Sequence, residues 1–160
     1  MTVDDDLYYR EDMLSRLIAL HESYPNAVCA NNTKVIPSHK FGKIPLYKNW
    51  LRNNQPAFGH NLIGIGFGGI LYPVTLFNNV DFANIELIKD LSLGTDDLWL
   101  KAMELIADIP VTTGIYNCTY PKILGSQKSS LSKENWKEED RNDTNWRKLY
   151  DHFQLLKYLN

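Results

Sequence analysis

Cysteine is nearly absent from this chain, which carries two in 160 residues, Cys29 and Cys118. They stand far apart with no CxxC pair, so a zinc knuckle or a disulfide framework is not expected, and both read as buried thiols in a reducing cytoplasm. Long hydrophobic runs are also missing: nothing approaches the ~20 apolar residues that span a bilayer. No charged-then-apolar signal segment opens the chain, so the Asn-x-Ser/Thr triplets at Asn31, Asn117 and Asn142 read as chance. Charge of one sign is missing too. A net charge of −2 gives no polyanion-binding surface, which argues against a nucleic-acid partner. The four histidines, at 21, 39, 60 and 152, are scattered and read as structural. No phosphate loop, HExxH helix or GxSxG elbow is present, and "GIGFGG" lacks the acidic residue and helix of a dinucleotide-binding unit.

What the chain does have is apolar material, 44% of its residues, enough for the core of one domain over 1–160. Residues 1–6 read as the end of a strand. Met13, Leu14, Leu17, Ile18 and Leu20 have helical spacing within 7–23, and Tyr24-Pro25 stops that helix. Residues 27–30 are apolar and short, a buried strand. Between 31 and 58 the pattern is irregular but keeps Phe41, Tyr47 and Trp50, as a long functional loop with short strands would. Residues 61–73, "NLIGIGFGGILYP", are rich in glycine and β-branched residues. Thr95 is placed as an N-cap for a helix through Ile106, with Asp96 and Asp97 in its first turn. "IPVTTGIY" reads as a strand, 125–148 as a polar loop, and 145–159 as an amphipathic helix. Strands alternating with helices predict an α/β domain with a mixed sheet flanked by helices.

Two acidic runs carry the candidate chemistry. In an extended segment ending Asp4-Asp5-Asp6, residues 4 and 6 fall on one side, a hard-oxygen site for Mg²⁺ or Mn²⁺. A solvated acidic terminus explains the same residues. Asp96-Asp97 opens a helix, where N-capping is the plain explanation. The glycines of "GFGGILYP" let backbone approach a ligand, or serve only a tight turn. Trp50, Trp99, Trp136 and Trp146 suit a carbohydrate surface, but for most of them core packing is the expected role.

Taken in order, "TVDDDLYY", "HESYPNAVCA", "YKNW", "GFGGILYP", "LGTDDLWLKAM" and "RNDTNW" resemble a group of bacterial glycosyltransferases with the GT-A fold. These are similar to family 2 enzymes of capsule or lipopolysaccharide sugar assembly. The resemblance spans about Val3 to Tyr150. It implies transfer from a nucleotide-sugar donor to a saccharide or lipid-linked acceptor, on the cytoplasmic side and peripheral to the membrane. It implies a DxD motif at Asp4 and Asp6 holding Mn²⁺ or Mg²⁺, with Asp6 the direct ligand. It also implies a catalytic base at Asp96, with Asp97 next in line, and a sugar pocket shaped by Gly68, Gly69, Tyr72 and Trp99. The motif begins where a nucleotide-binding half normally precedes it, so an acceptor-side half is expected, with an uncovered sheet edge near Val3 and Tyr8 that pairs in a homodimer. A non-catalytic carbohydrate- or partner-binding module is the rival expectation.

Overall fold

The computed structural model describes residues 1–38, 44–114, 120–124 and 141–159. The chain is an α/β structure with a mixed sheet. Helix α1 (Met13–Ser23) precedes β1 (Val28–Ala30) and β2 (Thr33–Val35). Four further strands follow: β3 (Leu51–Asn53), β4 (Ala57–Gly59), β5 (Leu62–Gly64) and β6 (Ile70–Leu71). Then come α2 (Val74–Asn79), α3 (Ile85–Leu91), α4 (Asp96–Ile106), β7 (Val111–Thr113) and α5 (Arg141–Phe153).

Among the described residues the strands form two sheets, not one. The first runs β4-β7-β1-β6, with β1 parallel to β7 and the other pairs antiparallel; the second runs β3-β2-β5, antiparallel throughout. Val28, Cys29 and Ala30 are all inaccessible to solvent, as a central strand covered on both faces requires. On α4, Leu98, Ala102 and Leu105 face the core at helical spacing, and the helix packs on β5 and α5. Trp50 and Trp146 meet edge to face in that core, ring centroids 4.9 Å apart.

Several local expectations change. Helix α1 starts at Met13 instead of residue 7, because Leu7 bridges Lys122 and the Tyr8 amide donates to the Pro121 carbonyl. Its end at Tyr24-Pro25 is as expected. The N-terminal strand is a single bridge: Thr2 exchanges both backbone hydrogen bonds with Ile70 on the outer side of β6, and the chain turns at Asp5-Asp6. The polar stretch 141–148 is helical, not a loop, since α5 starts at Arg141 and buries Asn145, Trp146 and Leu149. That helix ends at Phe153, because Gln154 takes a left-handed conformation. Thr95 stands at the N-cap position of α4 without capping it. Its hydroxyl donates to the Ser92 carbonyl and accepts from the Asn145 amide instead. His39, Phe41, Cys118, Trp136 and the loop reading of 125–140 lie outside the described residues.

Candidate functional site

The two acidic runs, some ninety positions apart in sequence, come together around Gly66. After β5 the chain makes a single 3₁₀ turn, Gly66–Gly68. The Ile65 amide at its entrance donates to the Asn32 carbonyl, and the Asn31 side chain donates to the Gly68 carbonyl. The Gly66 N–H then points at the first turn of α4 and donates to both carboxylate oxygens of Asp97, at 3.1 and 3.2 Å.

Asp4 arrives from the other side. The Thr2 bridge fixes the chain before it, and the Tyr9 hydroxyl accepts the Asp4 amide at 2.8 Å. Tyr9 is itself packed at a tilt against Tyr120, centroids 4.7 Å apart, and the Ile123 amide donates to the Asp6 carbonyl. A Cβ on Gly66 would stand 3.1 Å from Asp97 Oδ1 and 3.7 Å from Asp4 Oδ1. Glycine at 66 thus lies beside both carboxylates, and a side chain there would crowd Asp97 while touching Asp4 at ordinary contact distance.

Electrostatics follow from that convergence. The Asp97 carboxyl is pushed up to about 7, first by burial and next by Asp96; Asp4 and Glu104 add to the rise, and the Gly66 amide opposes it. Asp4 is raised as well, by burial, then Asp6, Asp96 and Asp5. Like charges drawn into one low-dielectric corner make ionisation of each more costly. Asp96 is exposed, whereas Asp97 is partly buried.

The sequence-expected residues divide in two. Asp4, Asp6, Asp96 and Asp97 share one electrostatic neighbourhood. The strand alternation used to pair Asp4 with Asp6 does not apply, because the chain turns there, yet Asp6 is still the strongest charge acting on Asp4. Gly68, Gly69, Tyr72 and Trp99 serve packing. A Cβ on Gly68 would lie 2.7 Å from the Asn32 Cβ, and Gly69, at φ +84°, would meet Met13 Sδ at 2.9 Å. Tyr72 is buried in the core with an edge contact to Phe77, and burial pushes its phenol far up. Trp99 is buried, and its indole N–H donates to the Phe82 carbonyl. It lines a cavity of about 470 Å³ with Met103, Phe153 and Tyr158.

Three participants escaped the sequence reading. Gly66 belongs to the same glycine run as Gly68 and Gly69, and nothing local marks which glycine faces the acids. Lys34 and Arg52 carry no motif at all and come into view only through strand register.

A hard cation suits this corner in donor chemistry, since carboxylate oxygens are drawn together there and a cation would offset their mutual repulsion. Among the described residues no group of three His, Cys, Asp or Glu side chains is arranged to hold a metal ion. Two carboxylates are nonetheless enough for an ion that completes its shell with phosphate oxygens and water. Among the described residues no helix is long and apolar enough to cross a membrane. No protein-family model, curated protein or solved structure matches the chain.

Proposed function

We propose that this chain is a GT-A-type glycosyltransferase domain, one that moves a sugar from a nucleotide-sugar donor to a saccharide or lipid-linked acceptor. The observation that carries the reading is the Gly66 amide gripping Asp97 beside Asp4. The resemblance calls for a metal-side acid motif and a base-side acid motif at one site, and these residues supply both.

The base role passes from Asp96 to Asp97. A carboxylate that titrates near neutrality both accepts a proton and is available to do so, whereas an ordinary solvated one is too weak a base. With an acceptor hydroxyl at Asp97, the O–H proton moves to the carboxylate as the oxygen bonds to the donor's anomeric carbon. The bond from that carbon to the diphosphate oxygen breaks, and the configuration inverts. Mn²⁺ or Mg²⁺, held by Asp4 and Asp6, would neutralise the charge growing on the departing diphosphate. Gly66 fixes Asp97 so that no reorientation is needed when the proton arrives.

Calorimetry tests the metal side. Mn²⁺ is expected to bind weakly to the chain alone and more tightly with a nucleoside diphosphate, and Asp4→Asn and Asp6→Asn are each expected to remove that gain. On the base side, Asp97→Asn is expected to lower transfer by about 10²-fold or more. Sugar binding that ignores Mn²⁺ and survives all three substitutions would favour the non-catalytic module.

A further inference from the structure

Two cations stand directly opposite one another on β2 and β3. Lys34 is the register partner of Arg52 on one side and of Ile63 on the other. Residues paired across neighbouring strands project to the same face, so these three side chains share one side of the sheet. Ile63 is its buried member, and its strand packs against α4. The link to Asp97 runs through the turn after β5, where Phe67, the ring under Arg52, follows directly on the Gly66 whose amide holds Asp97.

Like charges directly opposite each other weaken a sheet. Among the described residues neither cation has a hydrogen-bond or ion-pair partner. Each lies over an aromatic ring instead: Lys34 Nζ is 3.9 Å from the Tyr47 centroid, and Arg52 Cζ is 5.7 Å from that of Phe67. Both rings are anchored. Phe67 is the middle residue of the turn whose Gly66 holds Asp97, and the Tyr47 amide donates to the Asp143 carboxylate of α5. A ring under each cation holds it while leaving its donors free for an oxyanion.

Burial and the Arg52 charge both press the Lys34 ammonium downward, and Asp97 is the charge that opposes them. The charges that act on Asp4 are acids alone. Asp97 is thus the acid of the site whose charge reaches Lys34.

We propose that Lys34 and Arg52 form an anion subsite that receives the carboxylate or phosphate of an acidic acceptor sugar, whose hydroxyl is then presented to Asp97. The assignment rests on the base role given to Asp97 above. An oxyanion between the two cations removes their mutual repulsion, and the guanidinium fork takes two of its oxygens at once. A neutral sugar leaves the repulsion in place.

Amide-resolved NMR titration with glucuronate, glucose 6-phosphate, glucose and inorganic phosphate tests this on the wild type, Arg52→Gln, and Lys34→Gln/Arg52→Gln. Both acidic sugars are expected to bind about tenfold or more tightly than glucose and to shift the Lys34, Arg52 and Phe67 amides. Arg52→Gln is expected to lose most of that preference and the double variant all of it. The double variant's spectrum reports directly whether it is folded, and Arg52→Gln, at an exposed position, decides the matter if it is not. A glucuronate preference with no glucose 6-phosphate preference, or the reverse, would name the acidic group and support the subsite. Equal binding of glucose and the acidic sugars would overturn the proposal. Inorganic phosphate shifting the same amides as strongly as glucose 6-phosphate would mean an adventitious ion only. Competition by a nucleoside diphosphate for these amides would move the cations to the donor side and overturn it too. The readout is binding, so a chain without transferase activity leaves this result standing, and loss of the acidic preference leaves the base role to its own test.

Discussion

Asp97 is a residue that the fold makes less stable than it need be. Its carboxyl holds a proton up to about 7 in the native state, against an ordinary value of 3.8. Between roughly pH 4 and pH 7 the native state therefore binds more protons than the unfolded chain, and stability falls as pH rises through that window. Above it the loss is complete and level. Asparagine keeps an oxygen for the Gly66 N–H and never ionises, so Asp97→Asn is expected to match the wild type below about pH 4. At pH 8 it should exceed the wild type by on the order of 2 kcal/mol, as thermal or urea unfolding across pH would show. A variant more stable but inactive would identify the strain as functional; equal stability at pH 8 would mean that Asp97 ionises freely. Sequence made the acids visible and placed Asp96 ahead of Asp97, whereas the Gly66 contact falls on Asp97. Asp96 and Asp97 are equivalent in sequence at a helix start, and the contact from Gly66, 31 residues before Asp97, distinguishes them.

At the scale of elements, what could be read depended on whether the pattern was local. The end of α1, the strand at 28–30 and the span of α4 follow from apolar spacing and from Pro25, and the structure has them. The start of α1 was not legible, because residues 7–8 are held by pairing with 121–122, a contact with no trace in local sequence. Residues 141–144 read as loop for the same reason: Asp143 and Asn145 look like turn formers, but both are buried against other elements. Helix α4 hides a second surprise. Lys101 and Glu104 are almost fully buried, 3.0 Å apart, on the face that also carries Asp97. Such a pair is costly to break and cheap to replace. Lys101→Met alone is expected to cost about 3–5 kcal/mol, because Glu104 is left buried without its partner. Lys101→Met with Glu104→Leu is expected to recover most of that. Chemical denaturation of the two variants separates these outcomes, and equal losses in both would show that packing, not charge, dominates there.

At the scale of the whole molecule, the N-terminal edge bears on assembly. Thr2 covers β6 for one residue only, while Val3 and Tyr8 are 44% and 59% exposed. An edge with apolar side chains beside it invites pairing with a second copy. Sedimentation at micromolar concentration is expected to show a dimer that Val3→Asp weakens about tenfold or more; a wild type that sediments as a monomer would leave this edge to water. The α/β class was legible because strands and helices alternate. The division into two sheets was not, since it depends on which short strands pair across the 31–64 segment, and their side chains alone do not specify that.

The central claim is that the two acidic runs form one site at Gly66, and a carbon-detected NMR titration of the Asp97 carboxyl reads it directly. A midpoint near 7 is expected, falling in the Asp4→Asn variant and, separately, in the wild type when Mg²⁺ binds beside Asp97. A midpoint near the ordinary value of 3.8, indifferent to Asp4→Asn and to Mg²⁺, would contradict the claim.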